Sequence, residues 1–175
     1  MSYFCFASRL SGKTLINLGS EEEGSFIVGC AGGKSTRIQL SISRVELESD
    51  HDLFSLSVNG LQGGHSGAEI HKQRANANKV LIRALDDIRQ VVPIQWSLFR
   101  GGTAHNAIPR IAGAIFSCPG DLTALCRQRF ASFARQRQSE YGRSDPALKL
   151  RLANLRKIKL EALSIRRPQP RSLIS

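Results

Sequence analysis

Three clusters of residues combine glycine with side chains that donate, accept or ligate: NLGSEEEG at Asn17 to Gly24, GLQGGHSGAEIH at Gly60 to His71, and GGTAHNAIPR at Gly101 to Arg110. In the second, His65 follows two glycines and precedes Ser66 and Gly67, and a loop of that composition exposes the side chain it carries. A fixed imidazole N–H aimed where negative charge develops stabilises a transition state by roughly 3 to 4 kcal/mol once water is excluded. His71 and Glu69 would complete a set of zinc-capable donors with His65. A spacing of six between the histidines matches neither a helix face nor a short zinc pattern, and packing at the entrance to a helix is the simpler use. In the third cluster Asn106 presents a donor and an acceptor on one amide. That suits peptide or carboxylate recognition, and equally the holding of a turn before Pro109. Glu21, Glu22 and Glu23 are adjacent carboxylates of the kind acid-base chemistry uses.

The elements that must position these clusters follow from periodicity. Asp52 to Asn59 (DLFSLSVN) alternates, with Phe54, Leu56 and Val58 opposing Leu53, Ser55 and Ser57, which predicts a strand ending just before the GGH turn. Asn76 to Gln90 places Val80, Leu81, Ala84, Leu85 and Ile88 at helical spacing, with Asn76 or Asn78 as the N-cap. Pro93 ends that helix, Ile94 to Arg100 reads as a strand before Gly101 and Gly102, and another strand runs from Ile111 to Cys118. Pro119, Gly120 and Asp121 open a second helix that repeats Leu122, Leu125, Cys126, Phe130 and Phe133 as far as Tyr141. After GRSDP, Ala147 to Leu155 alternates again. The order is β-α-β-β-α-β, so the expected fold class is α+β, a ferredoxin-like two-layer sandwich with two helices on one face of an antiparallel sheet. An extra strand is expected at about Ser35 to Ser43, and the stretch from Ile165 reads as an unstructured tail.

The chain has 175 residues, 41% of them hydrophobic, which permits one ordinary domain and excludes a disordered class. No apolar run reaches the roughly 18 to 20 residues of a membrane helix, and the opening MSYFCFASRLSGK lacks the features of a secretory leader, so the expected location is the cytoplasm. Cys5, Cys30, Cys118 and Cys126 form no C-x-x-C pair, and reduced structural thiols are expected. The net charge of +11 is lopsided: residues 119–175 carry 13 Lys and Arg against 4 Asp and Glu. On an amphipathic helix such basicity usually marks a solvated face, less often a nucleic-acid surface.

Taken together, the three clusters resemble the aminoacyl-histidine dipeptidases, or cytosolic non-specific dipeptidases, of the dinuclear zinc metallopeptidase superfamily, over about Leu15 to Leu155. The resemblance implies a lid and dimerisation domain at residues 34–155, a remnant of the catalytic-domain edge at 1–33, and a basic, disordered tail at 156–175. It implies that His65, matching the family's GGHSG, reaches the partner subunit's active site and bonds the oxygen of the scissile carbonyl, and that Asn106, matching N-x-I-P, positions the substrate. His105 stands where the dipeptidases have Arg. In the family the first segment runs Asn-x-Asp-Ser-Glu-Glu-Glu-Gly and its Asp ligates zinc; here that position is Gly19, which has no ligating atom.

The implied reading is therefore a lid that contributes to dipeptide hydrolysis, forms a homodimer, holds none of the two zinc ions of full-length relatives itself, and is inactive alone. The sequence leaves two rivals: a basic ferredoxin-like RNA-binding domain, for which the first strand offers Phe54 and the third only Phe116 as aromatic residues, and a dimerisation module that modulates an intact dipeptidase.

Overall fold

The structure, a computed structural model, describes residues 36–155, the single residues 11, 16, 24 and 34, and the backbone of 164–166. The chain divides into residues 1–39 and 40–175, and every element below belongs to the second unit. Strands are β1 (Ser43–Val45), β2 (His51–Asn59), β3 (Gly64–His65), β4 (Gln95–Gly101), β5 (Ala107–Ile108), β6 (Ala112–Pro119), β7 (Lys149–Leu155) and β8 (Ser164–Arg166); helices are α1 (Ala77–Arg89) and α2 (Thr123–Tyr141). Short 3-10 turns at Ile70–Lys72 and Gly120–Leu122 precede the two helices.

The main sheet runs β1-β8-β4-β6-β2-β7, with antiparallel neighbours throughout. Its four central strands β4-β6-β2-β7 with α1 and α2 are the ferredoxin-like unit the periodicity predicts. Alternation in β2 sends Phe54, Leu56 and Val58 inward with no exposure, where they meet Val80, Leu81, Ala84, Leu85 and Ile88 of α1 and Cys126, Phe130 and Phe133 of α2. Leu150 and Leu152 of β7 pack on the same core. Asn76 is the N-cap of α1, its side chain accepting from the N–H groups of Asn78 and Lys79. Such a cap stabilises a helix by about 1 kcal/mol.

The edge of the sheet departs from expectation. The extra strand lies at Ser43–Val45, not at 35–43: Ile38 and Leu40 alternate but are 79% and 81% exposed. Alternation makes a strand only where a neighbour supplies hydrogen bonds, and that neighbour is β8, which pairs Ser43 to Val45 with Arg166 to Ser164. Residues 164–166 are therefore strand where the sequence suggests a tail, and Ile165 also pairs with Trp96 of β4. The remaining tail, Gly19, Glu21 to Glu23, Cys5 and Cys30 lie outside the described residues. Cys118 and Cys126 are free and buried, as expected of structural thiols.

The aromatic residues that an RNA-binding reading needs are in the core. Phe54 and Phe116 have no exposed surface and stack on each other with ring centroids 5.6 Å apart, so neither offers a face to a base. Part of the basic surface of α2 pairs with acids of the same unit. Arg129 bonds Asp87 of α1 at 2.7 Å, and Arg137 pairs with Glu140, which also holds Arg83 of α1 at 3.0 Å.

Candidate functional site

β2 ends at Asn59, and the chain then turns through the GGH segment into β3. Gly63 has φ +64° and Gly64 φ +140°, values L side chains rarely adopt. Added Cβ atoms would lie 2.3 Å from Arg110 Cγ and 2.6 Å from Glu69 Oε2. The two glycines thus let the backbone pass Arg110 and Glu69 without a clash on its way to His65.

β3 pairs with β5, placing Gly64 opposite Ile108 and His65 opposite Ala107. The Ser66 N–H donates to the Asn106 carbonyl at 2.8 Å. This small ladder brings together His65 and Asn106, the two residues singled out from the sequence, and both side chains are exposed. Its two-residue strands are too short to leave a periodic signal, so only the glycine pairs hinted at it.

His65 itself is held from three sides. Its N–H donates to Glu69 Oε2 at 2.9 Å, and its Nδ1 accepts from the N–H groups of Gly67 at 3.2 Å and Ala68 at 3.0 Å. A ring nitrogen that accepts two N–H bonds carries no proton, so the imidazole proton of the neutral ring sits on Nε2. The chain therefore fixes both the tautomer and the direction of one N–H donor at an exposed loop. What it can do chemically is donate a hydrogen bond from Nε2 to an electron-rich atom.

Glu69 is the hub of this loop. Lys72 Nζ donates to its Oε1 at 2.7 Å, and Arg74 lies 3.3 Å from the same oxygen. The Lys72 bond first, and then the His65 N–H, hold its carboxyl down at about 2, against an ordinary 4.5. Because the folded-state value is the lower one, the stabilising contribution is complete above about 4.5 and is lost as pH falls towards 2. The His65 amide resonance, followed by NMR in acid, is expected to titrate with a midpoint near 2; a midpoint at 4.5 would show that Glu69 does not hold the loop.

Next to the ladder lies a cleft of about 550 Å³ whose lining includes Ser66, Asn76, Asn78, Thr103, His105 and Ile108. Its wall contains a buried amide oxygen, Asn78 Oδ1, with no hydrogen-bond partner, close enough to Gly101 that a Cβ there would lie 1.6 Å away. His105 lines this cleft, and Asn106 is not among its lining residues.

The zinc set of His65, Glu69 and His71 does not form. Glu69 is committed to Lys72, Arg74 and the His65 N–H, and His65 Nδ1 to two amides. Among the described residues the His, Cys, Asp and Glu side chains close enough to share one ion are Glu48, Asp50 and His51, at the other end of β2. There His51 already bonds Ser117 Oγ at 3.3 Å, and its Nε2 lies 3.4 Å from a Glu48 carboxylate oxygen.

Residues the sequence reading passed over hold the site from behind. Arg74 donates to the Gly63 carbonyl, and Asp145, 1% exposed, accepts from the N–H groups of Gln62 at 2.8 Å and Ala75 at 2.7 Å. Neither has a local signature, because these backbone partners lie 11 to 83 residues away in the chain.

Residues 56–142, from within the first central strand to the end of the second helix, match the peptidase dimerisation domain of the M20 class. The chain is 36% identical over 143 residues to the cytosol non-specific dipeptidase of Escherichia coli (strain K12), covering 82% of this chain and 30% of that protein. It is similar in structure to an aminoacylhistidine dipeptidase from Vibrio alginolyticus, with a TM-score of 0.67 and 28% identity over 73% of this chain and 25% of that one. The resemblance seen in the three sequence clusters is thereby supported by sequence and by structure. The chain spans less than a third of the length of either relative. Among the described residues no helix is long and apolar enough to cross a membrane.

Proposed function

We propose that residues 34–155 act as the lid and dimerisation domain of a cytoplasmic, zinc-dependent dipeptidase that cleaves Xaa-His and other dipeptides. His65 would donate its Nε2–H to the scissile carbonyl oxygen in the active site of the partner subunit, and Asn106 would position the substrate. One observation carries this reading: two backbone N–H groups occupy His65 Nδ1, leaving the ring an exposed donor of fixed tautomer. A donor of that kind meets little charge on a ground-state carbonyl and a nearly full charge on the tetrahedral oxygen, so it acts on the transition state.

Glu69, the carboxylate that accepts the His65 N–H, is already paired with Lys72 and Arg74. The part assigned to the chain is therefore confined to donation and positioning, and metal chemistry is left to the zinc-bearing domain of full-length relatives. The 175-residue chain alone is expected to hold no stoichiometric zinc and to leave β-alanyl-histidine intact. Metal analysis and a dipeptide assay check this, and two tightly held equivalents of zinc, or turnover abolished by chelator, would refute it.

The same reading expects a homodimer, because the matched segment is of the dimerisation class and a symmetric pair is the commonest way such a surface closes. Light scattering should give twice the chain mass of 19.2 kDa. A strictly monomeric chain at high concentration would count against it.

A further inference from the structure

We propose that Asp145, on the connection between α2 and β7, is the positioning residue of the His65 loop; this rests on the proposed role of His65. Its two carboxylate oxygens take one backbone N–H each, Oδ1 from Gln62 at 2.8 Å and Oδ2 from Ala75 at 2.7 Å. Gln62 and Ala75 are the two ends of the segment that carries His65. One carboxylate thus fixes the separation of the two ends of that segment.

The clasp connects to the histidine through the loop's own contacts. Arg74, next to the clasped Ala75, donates to the Gly63 carbonyl and pairs with Glu69, and Glu69 accepts the His65 N–H. Asp145 is in turn fixed by its backbone: its N–H donates to the Tyr141 carbonyl at 2.8 Å, closing α2, and its carbonyl accepts from Leu148 at 3.0 Å, just before β7. Gln62 adds a second tie to the same corner through Nε2 and the Ser144 carbonyl at 2.8 Å. Because Asp145 is 1% exposed and its bond to Ala75 is buried, water cannot replace it there, and the clasp either holds or leaves the Ala75 N–H without an acceptor.

A purely architectural Asp145 would, when altered, loosen the whole domain. A positioning Asp145 would loosen residues 62–75 and let the His65 ring change tautomer. The two are separated in the full chain by Asp145→Asn, which keeps the shape and one acceptor oxygen but turns a second donor towards an N–H. Amide exchange at Gly67 and Ala68 is expected to quicken at least tenfold relative to amides of β2 and β6, and the ring nitrogens of His65 should show a population protonated at Nδ1 in place of Nε2 alone. Unchanged exchange at Gly67 and Ala68, acceleration shared equally by β2 and β6, or an unaltered ring would each overturn the proposal. Asp145→Glu offers a second test should the amide variant fail to fold: the carboxylate is retained but displaced, and the same two signatures are read. None of these measurements depends on catalysis, so an inert His65 in a dipeptidase would fail the functional reading while leaving the clasp decided by its own data.

Discussion

His65→Ala is expected to lower kcat by roughly 10² to 10³, the usual effect of losing one oxyanion donor, when residues 34–155 replace the lid of a competent two-zinc dipeptidase. KM should change little, because the Nε2–H meets its full charge only in the transition state. Asn106→Ala in the same graft should act chiefly on KM, as a contact made in both ground and transition states does. The local geometry makes the comparison clean. His65 and Asn106 share one small ladder, with the Ser66 N–H on the Asn106 carbonyl, and neither side chain contributes to the core. Steady-state kinetics on the two variants separates the roles, and an unchanged kcat in His65→Ala would reduce His65 to an ordinary turn residue.

Phe116→Ala is expected to destabilise the domain by about 3 to 5 kcal/mol, the range for emptying a fully buried aromatic site. Phe116 has no exposed surface, stacks on Phe54 at 5.6 Å, and sits in β6 between β4 and β2. Helices pack over that face, so little can move in to fill the void. Denaturant unfolding measures the loss. The same variant weighs the RNA-binding alternative. A base-stacking Phe116 would lose affinity for single-stranded RNA with little change in stability, whereas a core Phe116 loses stability and has no such affinity to lose.

The central elements were legible because each has a period and a stop. β2 alternates, α1 repeats at three and four residues behind an Asn cap, and Pro93 and Pro119 bound what lies between. The sheet edge was not legible, because β1 is strand only where β8 pairs with it, more than 100 residues away in the chain. The site divides in the same way. Glycine pairs and the histidine they flank are visible as local composition, but the tautomer of His65 depends on amides that fold back onto it. The Asp145 clasp joins residues 70 and 83 positions apart, and in sequence Asp145 is part of a GRSDP breaker and nothing more. Side-chain anchors at that separation have no period to betray them.

The central claim, that this lid serves the active site of its partner, is tested most directly by mixing two inactive grafted dipeptidases. One carries the His65→Ala lid with an intact zinc-bearing domain; the other carries the unaltered lid on a domain stripped of its metal ligands. After subunit exchange, half of the dimers would be mixed, each with one complete site, so activity should return to about a quarter of the unaltered graft. If the mixture stays as inactive as its parents although mixed dimers are present, His65 does not act across the dimer.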